Sequence, residues 1–258
     1  MARGYILILF NLWMNDYFRG SKIRRMSEYQ HHAGEAIQRT KPKITDPRYF
    51  YLLQLKKLVL SAFTKIKLPE SATLMDYGCG AMPYKVSLSS YSIRYMGADL
   101  KENELADILV LPDGSIQNSE EKYDIVFSTQ VLEHVPNYQK YLAEAKRCLK
   151  ENGKLVLTTH GYWMYHPDPT DFWRWTSMGL KKIVEEAGFE ILHFEGIIGR
   201  SAMGIQLFQD GLMFKFPKLI RVPFILFCQS LIWCFDKVNS EKQKAQDACT
   251  YLVIAKHA

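Results

Sequence analysis

Thr73-Leu74-Met75-Asp76-Tyr77-Gly78-Cys79-Gly80 is the stretch on which the fold turns. A short apolar run ends in a carboxylate, and two glycines follow at once. The pattern predicts a buried strand running into a tight loop, where glycine permits a positive φ and lets a ligand lie against bare backbone. Asp76 narrows the ligand. A loop built for pyrophosphate gains nothing from a negative charge at the strand end, whereas a ligand carrying a cationic amine and a sulfonium does.

Outward from that strand the chain alternates helix and strand patterns. Asp46-Pro47 reads as an N-cap followed by proline at the first helical position. Leu52, Leu55, Val59, Ala62 and Phe63 then recur at helical spacing. Strands are predicted at 73–77, 93–98, 107–110, 123–128, 154–159, 189–195 and 250–255. Tyr138, Tyr141, Leu142, Ala145, Cys148 and Leu149 mark one face of a helix that Asn152-Gly153 closes. Thr176 caps a further helix carrying Leu180, Ile183, Val184 and Ala187, with Gly188 as its stop. Short apolar strands alternating with helices imply an α/β fold, a parallel sheet with helices on both faces.

The 258 residues suffice for one such domain with additions, and 48% hydrophobic with 23% charged residues is ordinary for a globular chain. The net charge of +6 is unevenly spread. Residues 1–45 carry eight Lys/Arg against three Asp/Glu, and residues 201–245 six against three, so the remainder is slightly acidic. That distribution argues against a nucleic-acid partner. Five scattered cysteines with no C-x-x-C pair fit reduced thiols and a cytoplasmic location.

In a sheet of this kind ligands bind beyond the carboxyl ends of the strands. After the second strand comes Asp99, 21 residues beyond Gly78, close to the ~20 at which an acid reaches a ribose diol. After the third comes Leu111-Pro112-Asp113-Gly114, after the fourth Ser128-Thr-Gln-Val-Leu-Glu-His-Val135, and after the fifth Thr158-Thr-His-Gly161. A dinucleotide site wants G-x-G-x-x-G, and here the third glycine position is Pro83. The set resembles the class I S-adenosylmethionine-dependent methyltransferases, type 11, in the branch associated with glycan biosynthesis. Asp76-Tyr-Gly-Cys-Gly80 looks like their first motif, with Met82 where a further glycine is usual. Asp124-Ile-Val-Phe127 and Val131-Leu-Glu-His-Val135 look like their fourth strand and the turn after it. The likeness covers residues ~46–200 and the last strand.

The resemblance implies a Rossmann-like, seven-stranded, mostly parallel sheet with the last strand antiparallel. It implies S-adenosyl-L-methionine as cofactor. Asp76, Gly78, Cys79 and Gly80 would hold its methionine end, with Gln130 close by. Asp99 would take the ribose hydroxyls, Leu100 would flank the adenine, and Pro112 and Asp113 would sit at the adenine edge. Asp113-Gly114 is also a good turn sequence in its own right.

Methyl transfer needs donor and acceptor held in line. The amino-methylating nucleic-acid and glutamine enzymes of this fold carry an acid or Asn with two prolines after the fourth strand; Ser128-Thr129-Gln130 stands there instead, which favours oxygen acceptors. A hydroxyl acceptor gains from a general base. His134, His160 and His166 are candidates, His134 and His166 with Asp171 being favoured as catalytic and Glu133 as an orienting acid. His160, His166, Asp168 and Asp171 match no zinc spacing, so no metal is expected.

Tyr162-Trp-Met-Tyr-His-Pro-Asp-Pro-Thr-Asp-Phe-Trp-Arg-Trp175 holds six aromatics in 14 residues. It follows the fifth strand and so lies over the ligand end of the sheet. Tyr165, Trp173 and Arg174 are expected to line a pocket for a sugar or other small-molecule acceptor, with an Asp171–Arg174 brace compatible with that role.

Three segments are expected: an N-terminal helical extension over 1–45, a methyltransferase domain over 46–200 and 246–258, and an insertion over 201–245. The extension begins with Tyr5-Ile-Leu-Ile-Leu-Phe10, too short to span a bilayer. In the insertion, Arg221, Pro223, Gln229 and Ser230 argue against a spanning helix. Both segments read either as helices docked on the domain or as a peripheral membrane contact through 1–25 and 205–235. Other readings left open are a quinone or small-molecule methyltransferase, a NAD-dependent oxidoreductase and a membrane-docked binding module.

Overall fold

The computed structural model of the chain describes residues 34, 36–117, 120–167 and 170–258. The expectations for the N-terminal extension before residue 34 and for Asp168 lie outside those residues. The elements run α1 (Tyr49–Lys65), β1 (Thr73–Tyr77), β2 (Arg94–Leu100), β3 (Ile108–Val110), β4 (Tyr123–Thr129), α2 (Tyr138–Arg147), β5 (Leu149–His160), α3 (Ser177–Glu186), β6 (Phe189–Gly199), α4 (Arg200–Leu212), α5 (Lys218–Asp236), α6 (Glu241–Gln246) and β7 (Ala248–His257). They build one seven-stranded sheet in the order β3-β2-β1-β4-β5-β7-β6. β7 is antiparallel to both neighbours and the other pairings are parallel. The predicted Rossmann-like sheet is therefore the one found.

The sheet is covered on both faces, which is why its central strands are apolar throughout and not alternating. Ile125, Val126 and Phe127 of β4 are all fully buried. One core joins α1 through Leu55, Val59, Ala62 and Phe63 to Ala202, Met203 and Ile232 of α4 and α5. The other joins α2 and α3 to the opposite face through Tyr141, Leu142, Leu180 and Val184. Asp124 stitches β4 to β1: Oδ2 accepts from Thr73 N at 2.8 Å and Thr73 Oγ1 at 2.9 Å, with Lys150 Nζ at 2.7 Å.

Two local expectations need correction. The first helix starts at Tyr49, two residues later than Asp46-Pro47 implied; Asp46 Oδ1 accepts from Arg48 N at 2.8 Å and forms a local turn in place of a helix cap. The α2 helix ends at Arg147, and Lys150–Gly153 belong to β5, whose Leu149 pairs with Tyr123 before a register shift. The insertion forms the helices α4 and α5, and α5 runs for 19 residues with Pro223 in its second turn, where proline removes one backbone donor. Thr176 and Gly188 behave as read: Thr176 Oγ1 accepts from Gly179 N at 3.0 Å, and Gly188 takes φ +81°.

The α4–α5 hairpin is tied to the start of α1 by glutamines. Gln206, Gln209 and Gln229 each donate to Pro47 O, at 3.0, 2.7 and 2.8 Å, and Phe50 N donates to Gln229 Oε1 at 3.0 Å. This network fixes the helix that carries Tyr51 into the site.

Candidate active site

The carboxyl end of β1 meets those of β2 and β4. Asp76 is 2% exposed, and Tyr95 Oη donates to its Oδ2. Oδ1, also buried, has no hydrogen-bond partner among the described residues. Burial pushes the Asp76 carboxyl up to about 7, with the Asp99 charge adding to the rise. A buried acceptor without a donor is costly, and a ligand amine is the chemistry that would satisfy it.

The loop after β1 wraps over β2. Gly78 N and Cys79 N share Ala98 O, at 2.8 and 3.1 Å. Gly78 has φ +83°, and a Cβ there would lie 2.5 Å from Val131 Cγ2, so only glycine lets this loop pass under the turn after β4. Gly80 has φ +48° with nothing within 4 Å of a built Cβ, leaving open space over its backbone. Met82 also takes φ +48°, the conformation a glycine would hold without strain, so the loop keeps its path despite the missing glycine. Cys79 is buried, which raises its thiol pKa far out of the reactive range.

Asp99 anchors that loop. Its Oδ2 accepts from Gly80 N at 2.8 Å and Asn103 Nδ2 at 2.9 Å, and its Oδ1 from Leu100 N at 2.8 Å. Leu100 ends β2 with an exposed side chain. Pro112 and Asp113 lie in the turn after β3. Asp113 Oδ1 accepts from Ser115 N and Oγ, at 2.9 and 2.6 Å, and Oδ2 pairs with Lys140 of α2. The Lys140 pairing holds the carboxyl well below the usual range. Both oxygens of Asp113 therefore serve the turn. Gln130 directly follows β4 with φ +57°; its Oε1 accepts from Tyr51 Oη at 2.9 Å and its Nε2 donates to Thr158 Oγ1 at 3.1 Å.

Beyond β4 and β5 the three histidines come together. His166 stands edge-on to both His134 and His160, ring centroids 5.0 and 5.1 Å away. His134 Nδ1 faces Thr170 O, and His166 Nδ1 faces Met164 O at 3.2 Å. A carbonyl only accepts, so at His134 the proton sits on Nδ1 and Nε2 is the nitrogen that can carry the lone pair, whereas His166 Nδ1 has a second neighbour in the donating Arg174 guanidinium at 3.4 Å. His160 is 3% exposed, stacks on Trp163 at 4.8 Å and lies 3.2 Å through Nδ1 from Thr250 Oγ1. Burial drives its pKa well below that of free imidazole, and burial also lowers that of His166.

The aromatic segment over 161–176 has no helix or strand among its described residues. Arg174 holds it. The guanidinium donates to both oxygens of Asp171 at 2.6 Å, to Trp163 O at 3.0 Å and to Met164 O at 2.5 Å. Asp171 Oδ2 also accepts from His166 N at 2.8 Å. Asp171 and Arg174 thus spend their polar atoms within the segment. Trp173 donates through Nε1 to Val135 O at 2.8 Å and packs edge-on to Tyr138 at 5.4 Å. Tyr165 is 74% exposed.

Four participants escaped the sequence reading. Tyr51 looked like one more helical residue, and Tyr95 and Thr250 like strand residues. Trp163 was one of many aromatics. Tyr51 Oη and Thr250 Oγ1 meet at 3.4 Å across 199 positions, a contact no local pattern carries.

A family model for a methyltransferase domain matches residues 48–194. The chain belongs to this methyltransferase family. Among curated proteins it is similar to the (S)-coclaurine N-methyltransferase of Papaver somniferum, 27% identical over 43% of this chain and 36% of that protein. It is also similar to the ubiquinone biosynthesis O-methyltransferase of Hydrogenovibrio crunogenus (strain DSM 25203 / XCL-2), 29% identical over 35% of this chain and 43% of that one. The matches thus span less than half the length of either relative. Among solved structures, the phosphoethanolamine N-methyltransferase 2 of Haemonchus contortus, in complex with S-adenosyl-L-methionine, superposes with a TM-score of 0.50 at 14% identity. That match covers 86% of this chain and 59% of the other. An S-adenosylmethionine-dependent methyltransferase from Mesorhizobium loti gives 0.50 at 15% identity over 79% and 98%.

The methyltransferase uses S-adenosylmethionine, and its donor set fits that molecule. The unpartnered Asp76 Oδ1 suits the ammonium. Gly78 and Gly80 leave backbone bare beside it, and Asp99 stands at the end of β2 with Oδ2 taking Gly80 N, Asn103 Nδ2 and the Cys79 thiol, while Oδ1 takes Leu100 N and has room for a second donor.

Proposed function

We propose that this methyltransferase methylates a hydroxyl oxygen of a small acceptor, a sugar or another hydroxylated compound. The observation that supports this reading best is the His134 ring. It is half-buried at the mouth of β4, with Nδ1 fixed on Thr170 O, so Nε2 is presented as a base. A hydroxyl has a proton to lose as its oxygen attacks; a base within reach contributes about 10²–10⁴-fold. Bound S-adenosylmethionine supplies the electrophilic methyl group. His134 Nε2 takes the hydroxyl proton. His166 and Asp171 shape the wall beside it, Asp171 by holding the His166 backbone and Arg174. Tyr165 and Phe172 offer exposed rings on which a sugar face can stack.

A lipid-linked acceptor is supported by the outer face of the α4–α5 hairpin. Ile225, Cys228, Gln229 and Ile232 turn α5 inward. Outward it leaves Leu219 87%, Phe227 63% and Trp233 52% exposed, beside Phe208 at 58% and Phe214 at 71%. Lys215 and Lys218 border this face. Although α5 is long and apolar enough to cross a membrane, its inward face is spent on the domain and β7 re-enters the sheet directly after α6. A helix lying in the interface meets these conditions.

The test is release of S-adenosylhomocysteine with hydroxylated sugars and polyprenyl-linked glycans, set against amines and quinols. Turnover on a hydroxyl acceptor that His134→Asn lowers at least 100-fold, with unchanged S-adenosylhomocysteine affinity, supports the reading. Turnover only on amines, or none with dinucleotide binding by calorimetry, overturns it.

A further inference from the structure

Glu133 is fully buried, yet its side chain is half used. Oε2 accepts from Thr159 Oγ1 at 2.8 Å. Oε1 has no hydrogen bond among the described residues; His160 Nε2 stands 3.3 Å from it without one forming. The Glu133 carbonyl receives Phe172 N at 2.9 Å and Trp173 N at 3.2 Å, which locks the residue in place. His160 is oriented from behind by Thr250 Oγ1, so Nε2 is the nitrogen turned toward the carboxylate. His166 closes the group: one donor atom from each of Glu133, His160 and His166 lies within 4.8 Å of the other two.

We propose that Glu133, His160 and His166 form a binding site for a divalent first-row transition ion at the carboxyl ends of β4 and β5. Two imidazoles and one carboxylate with open positions remaining are a donor set such ions take. Each first ligand already has its orienting partner, Thr159 for Glu133 and Thr250 for His160, as metal ligands require. Donors on one ion about 2.0–2.1 Å away stand roughly 3.3 Å apart. Glu133 and His160 have that separation already, and His166, on a segment without helix or strand, supplies the remaining approach. Spacing in the chain could not show this site, because its ligands come from the turn after β4, the end of β5 and the aromatic segment. The expectation of no metal rested on spacing alone.

The site leaves His134 free as the base. On the hydroxyl-acceptor reading, an ion there would hold the acceptor oxygen and lower its pKa. The site itself does not depend on that reading, because binding is measured without acceptor.

The experiment is titration of chelator-treated full-length protein with Co(II), followed by visible d–d absorption and then displacement by Zn(II). One equivalent of Co(II) giving a ligand-field band is expected. Glu133→Gln and His166→Ala should each lose the band or weaken binding at least tenfold. His193→Ala, an exposed histidine on β6, should keep it. Thermal unfolding of the half-buried His166→Ala variant checks that the fold survives. No stoichiometric binding, or a band that persists in both variants through other histidines, overturns the proposal.

Discussion

Tyr95 and Asp76 face each other across β2 and β1: the Tyr95 hydroxyl donates to Asp76 Oδ2 while Oδ1, equally buried, is left without a donor. Within the chain the Asp76 carboxylate is therefore only half satisfied. Its pKa is raised to about 7, first by burial. A raised carboxyl pKa means the folded state binds the proton more tightly than the unfolded state. The penalty is full above pH 7 and is relieved as pH falls from 7 toward the unfolded value near 4. A shift of this size corresponds to on the order of 4 kcal/mol. Thermal unfolding of the apo protein compared with Asp76→Asn should show the variant gaining most at pH 8 and the gain shrinking by pH 6. The same variant should bind S-adenosylhomocysteine at least 100-fold more weakly. A gap between the two proteins that is flat with pH would contradict the assignment.

His160 acts in the opposite sense. Burial depresses its pKa below the unfolded value of about 6.5, so the unfolded state binds the proton more readily. Stability is unaffected above pH 6.5 and falls as the pH drops below it. An isosteric His160→Gln variant should lose part of that acid-side drop in melting temperature, measured between pH 7 and 5.

Arg174 braces the aromatic segment, and lysine cannot replace a bidentate fork. Asp171, whose side chain is 1% exposed, would keep a buried charge with fewer donors. Arg174→Lys is expected to cost about 2 kcal/mol through the hydrogen bonds lost to the Asp171 carboxylate and to raise the KM for acceptor, with S-adenosylhomocysteine affinity nearly unchanged. Calorimetry and denaturant unfolding read the two effects separately. Equal losses in both ligands would place Arg174 elsewhere in the machinery.

Tyr51→Phe removes the hydroxyl that links α1 to Gln130 and Thr250. Gln130 would lose the partner that helps hold it at φ +57°. The expected cost is about 1–2 kcal/mol, with faster amide exchange at residues 129–132 as the local readout.

The hairpin face yields a membrane test that leaves the core alone. Deleting 205–235 would remove Gln206, Gln209 and Gln229 from Pro47 and unseat α1. Leu219→Asp with Phe227→Asp changes only exposed positions. Flotation with anionic liposomes should be seen for the wild type and lost in the double variant. Wild-type protein that stays at the bottom of the gradient would contradict the docking.

The strand-to-loop step at 73–80 was legible because burial and backbone geometry are local there. Gly78 and Gly80 declare a positive φ, and the apolar run declares two covered faces. Met82 hid the same backbone conformation behind an ordinary side chain. Asn152-Gly153 misled because a turn sequence can also sit in a strand beside a register shift. The acceptor side was the least legible. Tyr51 and Thr250 owe their roles to each other, and each alone looks like a helix or strand residue.

Transfer of an isotopically labelled methyl group to the acceptor tests the central claim most directly. With [methyl-13C]-S-adenosylmethionine and hydroxylated glycan acceptors, the account predicts a product whose labelled carbon resonates as a methyl ether, formed at least 100-fold more slowly by His134→Asn. A labelled N-methyl or C-methyl product, or an ether formed equally well without His134, would contradict it.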